Sequence, residues 1–262
     1  PSGVEVNMRI AVVGGGIAGA SAAYHLARAT SEVEVVLLEA ESQLAMHTTG
    51  RSAALLLEND GTRSIRSLVQ ASVDFLHNPP DELVEAPIVT PREVMHIGDP
   101  EQRDSIDRLL VENATGVIPS VEITMDEAIA RFPALNPDVI DRVVLDSGAG
   151  DIDVHGLHQA YIRGLRRVGG RVATSHRVDA AVVEGNRWRV ETTGDDLIVD
   201  VLVNTAGAWG DLVAERAGVM PIGLEPRRRT AFNVNGPTSE VSAWAMVADV
   251  DLHFYVKPDG PQ

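Results

Sequence analysis

Arg9-Ile-Ala-Val-Val-Gly-Gly-Gly-Ile-Ala-Gly-Ala-Ser-Ala-Ala-Tyr24 is the most informative stretch of this chain. Its first part, Ile10 to Val13, is a short run of apolar and β-branched residues. Such a run is typical of a strand that is buried on both faces of a parallel sheet. A glycine-rich turn and a run of helix-forming residues follow at once. This order of strand, turn and helix predicts the first unit of an α/β fold.

The glycines of the turn match the pattern G-x-G-x-x-G, which is typical of dinucleotide-binding proteins. Gly14 permits the tight turn, Gly16 lets the backbone approach a pyrophosphate, and Gly19 lets the helix lie close to the strand. The amides at the start of the helix, near Ile17 and Ala18, would bind the anion without a lysine.

A second strand and an acidic residue follow at the expected distance. Glu32 to Leu38 reads as this strand, and Glu39 lies 20 positions after Gly19 (39 − 19 = 20). An acid at roughly this offset binds the ribose hydroxyls in dinucleotide-binding proteins. Glu39 and Glu41 would both repel a 2′-phosphate, which argues against NADP. The alternative is a glycine-rich turn that binds nothing, but that turn would not need a strand, a helix and an acid in register.

The composition is that of an ordinary globular enzyme. The 262 residues are 44% hydrophobic and 23% charged, and the formal net charge is −16. This charge argues against a nucleic-acid partner. The chain has no cysteine, which excludes disulfides, thiolate metal sites, a cysteine nucleophile and a cofactor attached through cysteine. Neither a signal peptide nor a membrane span is recognised, and the expected location is the cytoplasm.

The alternating pattern stops and later resumes. Closely spaced prolines separate short predicted elements between residues 84 and 140, which indicates an inserted domain. A helix then follows Gly150, and a second strand-to-glycine turn at Val201 to Gly207 would bring more backbone to the same nucleotide. The predicted nucleotide-binding domain comprises residues 8–83 and 148–217, and the predicted second domain comprises 84–147 and 218–262.

His155 and His158 have a spacing that could suggest a metal pair. No third ligand accompanies them, and the early turns of an amphipathic helix favour a surface position. We therefore predict no metal site.

Several segments in colinear order resemble the D-amino-acid oxidase superfamily of FAD enzymes, and among its groups the D-arginine dehydrogenases most of all. These segments are Gly14–Ser21, His47–Ala54, Gly150–Arg167, Val201–Trp209, Gly223–Phe232 and Phe254–Asp259. The resemblance implies an α/β fold that is discontinuous in sequence. An FAD-binding Rossmann-like domain has a parallel sheet with helices, and a substrate domain has a mixed sheet. The resemblance also implies that the chain is truncated at its C-terminus or that a second chain completes it.

The chemistry implied by the resemblance is transfer of a hydride from the α-carbon of an amino acid to FAD. The imino product then hydrolyses to an oxo acid and ammonia. The electron acceptor is left open between oxygen and a quinone, and a quinone would place the enzyme at the periphery of the inner membrane. The residues expected to bind FAD, from the glycine motif and the resemblance together, are Gly14, Gly16, Ile17, Ala18, Gly19, Glu39, Thr49, Gly50, Arg51, Ser52, Ala53, Val178, Ala206, Gly207 and Trp209. Free amides are expected from Gly50 to Ala53.

Non-covalent FAD is expected. Attachment through His47 is the alternative, because His47-Thr48-Thr49-Gly50 matches a His-x-x-Gly pattern through which some members of the superfamily bind their flavin covalently.

By the same resemblance, Arg228 and Tyr255 hold the substrate. Arg228 would pair with the carboxylate in a forked geometry that lysine cannot supply, and Tyr255 would donate its hydroxyl to the same group. The alternatives are a solvated basic run on an edge strand for Arg228 and a core aromatic residue for Tyr255.

The side-chain pocket is expected at Leu55, Asp60, Val94 and Met246. Val94 replaces the glutamate that grips the guanidinium group in D-arginine dehydrogenases, and Leu55 replaces a histidine. A D-amino acid with an uncharged side chain is therefore the expected substrate, although Asp60 could favour a basic one. Three other interpretations stay open: oxidation of glycine or sarcosine-type N-substituted amino acids, an NAD-linked dehydrogenase, and an FAD-binding remnant without catalysis.

Overall fold

A computed structural model describes residues 8–84, 86–238 and 240–260. The chain divides into two compact units, and each is discontinuous in sequence. The first unit comprises Pro1–Ser52, Pro80–Glu85 and Val154–Arg229, and the second comprises Ala53–Pro79, Ala86–Asp153 and Thr230–Gln262. Residues 53–79 and 148–153 therefore cluster with the second unit, although the sequence suggested the nucleotide-binding domain. Residues 218–229 cluster with the first unit.

The elements are numbered in chain order. The strands are β1 (Met8–Val13), β2 (Val33–Leu38), β3 (Leu55–Leu56), β4 (Val89–Pro91), β5 (Val94–Gly98), β6 (Val121–Ile123), β7 (Arg142–Asp146), β8 (Gly150–Ile152), β9 (Arg171–Ala173), β10 (Val178–Glu184), β11 (Arg187–Thr192), β12 (Leu197–Val199), β13 (Val201–Asn204), β14 (Met246–Asp249) and β15 (Tyr255–Val256). The helices are α1 (Ile17–Ala29), α2 (Arg63–His77), α3 (Arg103–Asn113), α4 (Met125–Arg131), α5 (Val154–Arg167) and α6 (Gly210–Arg216).

The first unit is built on a parallel sheet with the strand order β13-β1-β2-β9. Its central strands β1 and β2 are buried through their second halves, as the apolar runs predicted. Helices α1 and α5 pack together, with the rings of Tyr24 and Tyr161 5.5 Å apart. Gly164 lets them approach, because a Cβ there would lie 2.6 Å from the Tyr24 ring. A smaller antiparallel sheet, β10-β11-β12, completes this unit.

The second unit is built on a mixed sheet with the order β15-β14-β5-β7-β6. Strands β14 and β5 are parallel, and the other pairs are antiparallel. Side chains alternate along β5: Met95 and Ile97 pack into one core cluster, whereas Val94 joins another with Met246. The predicted class, a parallel-sheet unit and a mixed-sheet unit, is confirmed. A further antiparallel sheet, β3-β8-β4, lies in the second unit.

The start of helix α4 follows from a local sequence signal. This signal is a capping box. The Thr124 hydroxyl accepts the amide of Glu127 (3.3 Å), and the Glu127 carboxylate accepts the amide of Thr124 (2.8 Å). Over the described ranges, no helix has the length and apolar character that a membrane crossing requires.

Candidate dinucleotide site

The glycine turn joins β1 to α1, and its backbone tolerates no side chain at two positions. Gly14 has φ +110°, and a Cβ there would lie 2.6 Å from the carbonyl oxygen of Thr205. A Cβ at Gly19 would lie 1.8 Å from the carbonyl oxygen of Gly14. The hydroxyl of Thr205 donates to the carbonyl of Val13 at 2.7 Å, which ties the end of β13 to the end of β1. The turn and the close approach of helix and strand are thus as predicted.

Amides at the start of α1 remain available to an anion. Among the described residues, the N–H groups of Gly16, Ala18 and Gly19 have no acceptor. A Cβ at Gly16 would meet only the Thr49 hydroxyl, at 3.1 Å. The neighbouring amide of Ile17 does have an acceptor, since it donates to the Thr49 hydroxyl at 2.9 Å. The result is an open cradle of donors at a helix N-terminus, and this geometry fits a diphosphate.

Glu39 lies at the end of β2, directly beside this turn. Its Oε2 accepts the amide of Gly15 and its Oε1 accepts the amide of Glu41, both at 2.8 Å. These contacts fix the carboxylate, and each oxygen keeps a lone pair for a hydroxyl donor. The position of Glu39 is compatible with a contact to the ribose hydroxyls. This contact stays a prediction.

The loop after Glu39 differs from the expectation. It contains a single 3-10 turn, Thr49–Arg51. The expectation of free amides is wrong for Gly50 and Arg51, because they donate to the carbonyls of Ala45 (3.0 Å) and Thr48 (3.2 Å). Both amides are therefore used within the loop and are not free. Thr49 contacts the start of α1 through its hydroxyl, which accepts the amide of Ile17. Ser52 ends the first segment of the first unit, and Ala53 falls in the second unit.

Other predicted cofactor residues lie on three elements of the first unit. His47 is exposed, 3.0 Å from Glu41 Oε1, and its ring is 4.6 Å from that of Trp209. Ala206 and Gly207 form the second turn, where Gly207 has φ +54° and open space around it. Val178 begins β10 and is buried, and its carbonyl accepts Arg216 Nη1 at 2.5 Å. The adenine contact of Val178 stays a prediction.

His158 was wrongly expected at the surface. It is only 1% exposed, and its Nε2 lies 2.9 Å from the carbonyl oxygen of Gly15, to which it donates. Burial lowers the pKa of His158, against the opposing effect of the Gly15 hydrogen bond, so the ring is neutral at pH 7. The spacing to Tyr161 and Leu165 could have indicated this, because residues at i+3 and i+7 share one helix face. In the described part of the chain, no cluster of His, Asp or Glu could hold a metal ion.

Replacing His158 with leucine is expected to weaken FAD binding about tenfold, since the buried Gly15 carbonyl would lose its donor. His158→Gln is the matched variant, because the glutamine Nε2 can reach a similar position. It should keep near-normal FAD affinity, measured by titration of the apoprotein. Equal affinity of the wild type and the leucine variant would contradict a positioning role for His158.

The same pair of variants tests a pH effect. Because the folded-state pKa of His158 is lowered, the unfolded chain binds the proton first as the pH falls below about 6.5. Stability is therefore lost on acidification, and His158→Gln should flatten the fall of the melting temperature. Burial also lowers the pKa of His96, which contributes a common slope in both proteins. An unchanged slope in the glutamine variant would show that His158 does not titrate in this way.

The predicted substrate residues lie in both units. Arg228 is exposed in the first unit, in a stretch without regular secondary structure. The start of this stretch is anchored by Asp211, which accepts the amides of Ile222, Gly223 and Leu224 at 2.7–3.1 Å. The strand suggested as the alternative for Arg228 is not found.

In the second unit, Tyr255 lies on β15 with 40% of its surface exposed, so the alternative of a core aromatic residue is wrong. Val94 and Met246 are buried in one apolar cluster, and Leu55 packs against it. Asp60 is exposed and lines a neighbouring cavity with His96. Three of the four predicted pocket residues are thus brought together.

The parallel sheet, the glycine turn and the donor cradle define a Rossmann-type dinucleotide-binding protein. The model of the family of FAD dependent oxidoreductases (DAO) matches residues 9–261, and the chain belongs to this family. The dinucleotide is therefore FAD, and the NAD-linked alternative is excluded. The residues present fit FAD, because the open amides of the α1 cradle suit its diphosphate.

Curated relatives are similar over most of this chain. Human mitochondrial dimethylglycine dehydrogenase is 25% identical over 257 residues, which are 95% of this chain and 29% of that protein. L-2-hydroxyglutarate dehydrogenase of Indibacter alkaliphilus is 23% identical over 220 residues, which are 80% of this chain and 53% of that protein. The chain thus spans less than a third of the first relative and about half of the second.

Solved structures share the fold. Glycine oxidase from Geobacillus kaustophilus aligns with a TM-score of 0.78 and 17% identity, over 97% of this chain and 70% of that one. L-α-glycerophosphate oxidase from Mycoplasma pneumoniae with FAD bound aligns with a TM-score of 0.71 and 17% identity, over 80% of this chain and 57% of that one. The specific resemblance to D-arginine dehydrogenases stays a prediction.

Proposed function

We propose that this protein oxidises the bond between the α-carbon and the nitrogen of an amino acid with FAD. The observation that carries the proposal is the open amide cradle at the start of α1, in a chain of the FAD dependent oxidoreductase family. Similarity to dimethylglycine dehydrogenase and the fold shared with glycine oxidase support an amine rather than an alcohol as donor. When bound, FAD would accept a hydride from the substrate.

The remaining steps fall to the chain and to water. The substrate amine must enter deprotonated, so that loss of a hydride from the α-carbon leaves an iminium group, which gives up a proton and is hydrolysed by water. Arg228 would hold the carboxylate, and its availability supports this role. Its neighbour Arg227 pairs with Glu225 at 2.7 Å, whereas Arg228 has no ion-pair partner within the described ranges. Tyr255, exposed on β15, would donate its hydroxyl to the same carboxylate.

For the side chain, we propose an uncharged D-amino acid. The buried cluster of Val94 and Met246, with Leu55 against it, offers no charge to a cationic group. A second candidate has equal support: an N-methylated glycine, which the similarity to dimethylglycine dehydrogenase favours. The two candidates differ in whether the substrate needs a side-chain pocket at all.

Anaerobic bleaching of the flavin absorbance tests these proposals. The FAD-loaded chain is mixed with D-methionine, D-leucine, D-phenylalanine, D-arginine, sarcosine and dimethylglycine, with L-amino acids and L-2-hydroxyglutarate as controls. Fast bleaching by apolar D-amino acids supports the first candidate, and bleaching by sarcosine or dimethylglycine supports the second. Bound FAD that no amine bleaches would refute the proposal and indicate an FAD-binding protein without this catalysis. Reoxidation by air or by a quinone would then identify the acceptor.

A further inference from the structure

The second unit contains a cavity of about 390 Å³, and most of the residues that line it have polar or charged side chains. It lies among the loop before α2, strands β5 and β7, and the C-terminal half of α3. Cavities of this volume accommodate small organic ligands. Leu57 lines the cavity and also packs against the apolar cluster of Val94 and Met246. The cavity therefore adjoins the predicted side-chain pocket, but its chemistry is different.

Asp146 brings a buried negative charge to this cavity. It is 3% exposed, its Oδ1 accepts the amide of Gly148 at 2.9 Å, and its Oδ2 accepts Asn59 Nδ2 at 3.2 Å. Both donors are neutral, and no lysine or arginine of the described segments forms an ion pair with Asp146. A buried carboxylate without a cation is costly. A positively charged ligand would relieve that cost.

Asn113 supplies a second and independent observation. The residue is 2% exposed and lines the cavity, and its Nδ2 donates to Ser120 Oγ at 3.1 Å. Its Oδ1 is fully buried and has no hydrogen-bond donor among the residues described. Buried acceptors are nearly always satisfied in folded proteins. An unsatisfied acceptor on a residue that lines the cavity favours a ligand with an N–H or O–H group.

Arg66 lines the cavity and is positively charged, but its guanidinium group already has acceptors in the protein. Its Nε donates to the carbonyl of Gly61 (3.0 Å) and its Nη1 to the carbonyl of Glu112 (2.8 Å). Its Nη2 lies 3.6 Å from Glu112 Oε2, so the two charges offset each other. Arg66 thus adds little net charge to the cavity.

His96 and Asp60 complete the charged and titratable wall. Burial lowers the pKa of His96, although Asp146 and Asp60 oppose this shift. The imidazole is therefore neutral at pH 7, and the two carboxylates leave the cavity with net negative charge. Asp60 is exposed, and its Oδ1 accepts the amide of Gly61 at 2.8 Å, which orients the side chain at the cavity.

We infer that this cavity binds a small organic cation, namely a primary ammonium or a guanidinium group. Asp146 and Asp60 hold the charge, and Asn113 Oδ1 accepts a hydrogen bond from it. A metal ion does not fit, because no suitable cluster of His, Asp or Glu occurs in the described segments, and the volume exceeds what one ion needs. The site goes beyond the proposed function, since binding requires no flavin chemistry. The cation is the distal end of an amino-acid substrate or a separate amine.

Calorimetric titration of the FAD-loaded chain tests the site directly. The probes are n-butylammonium and n-propylguanidinium, with 1-pentanol as the neutral analogue and butyrate as the anionic one. Both cations should bind, and the neutral and anionic probes should not. Binding of butyrate instead would overturn the inference, because it would show that Arg66 attracts an anion. Absence of cation binding would overturn it as well.

Three variants distinguish binding in this cavity from a general attraction of cations to the acidic surface of the protein. Asp60→Asn should weaken cation binding about tenfold, as expected for loss of a charge-assisted hydrogen bond, and asparagine can still accept the Gly61 amide. Asp146→Asn should act in the same direction, and Asp60→Asn keeps the test valid if this buried change prevents folding. Asp138→Asn, at an exposed position of the same unit, is the control. Equal binding by all of these proteins would overturn the inference.

Flavin bleaching by D-lysine and D-norleucine then identifies the source of the cation. If Asp60→Asn raises the KM for D-lysine and not for D-norleucine, the cation is the end of the substrate, and the proposal of an uncharged side chain fails. If neither KM changes while n-butylammonium still binds the wild type, the ligand is a separate amine. If no amino acid bleaches the flavin but the cations bind, the proposed oxidation of amino acids is refuted and the cation site in the cavity is supported.

Discussion

Replacing Gly19 with alanine is expected to destabilise the fold by about 3 kcal/mol and to abolish FAD binding with it. The Cβ would lie 1.8 Å from the carbonyl oxygen of Gly14. That oxygen belongs to the backbone of the turn and cannot move aside, because Gly14 itself has φ +110° against the carbonyl of Thr205. Helix α1 would have to shift away from β1. Urea unfolding of the apoprotein measures this loss.

Gly16→Ala is the matched variant, and its expected result is different. Gly16 has φ −76° and ψ −175°, which any residue adopts, and its Cβ would meet only the Thr49 hydroxyl at 3.1 Å. Alanine at this N-cap position should cost about 1 kcal/mol of stability. The added methyl group would nevertheless stand in the donor cradle, so FAD affinity should fall at least about tenfold. Wild-type affinity in this variant would show that the diphosphate does not lie there.

The parts of the fold that follow from short stretches of sequence were predictable. The apolar runs of β1 and β2 and the glycine pattern each report on a local requirement of the backbone, and the structure confirms them. The start of α4 has an equally local cause in the structure, because Thr124 and Glu127 cap it across three positions. In these cases the interaction that selects the residue lies within a few positions of it.

The features that were missed depend on residues far apart in sequence. His158 donates to the carbonyl of Gly15, which is 143 positions away in the sequence. The residues around His158 therefore do not indicate this partner. The cavity in the second unit has the same origin, since Asn59, Asn113 and Asp146 come from a loop, a helix and a strand. Local sequence propensity does not predict contacts between residues that are far apart in sequence. These contacts form only when the elements pack together.

Arg228→Met is expected to lower kcat/KM for amino-acid substrates by about 100-fold, chiefly through KM, because the substrate carboxylate would lose two charge-assisted hydrogen bonds, each worth about 1.5 kcal/mol. Arg228→Lys should recover only part of this loss, since an ammonium group cannot form the two parallel hydrogen bonds of a guanidinium. Arg227→Met is the control. It removes an arginine one residue away that is paired with Glu225, and it should leave the KM nearly unchanged.

A substrate without a carboxylate separates binding of that group from a general effect on the fold. The amine that lacks the carboxylate of D-methionine should reduce the flavin slowly in the wild type and at the same rate in Arg228→Met. In a double-mutant cycle, the loss from removing the carboxylate and the loss from removing Arg228 would then not add, because both remove one interaction. Additive losses would show that Arg228 acts elsewhere, and an equal loss in Arg227→Met would mean that the basic run contributes only a general positive field.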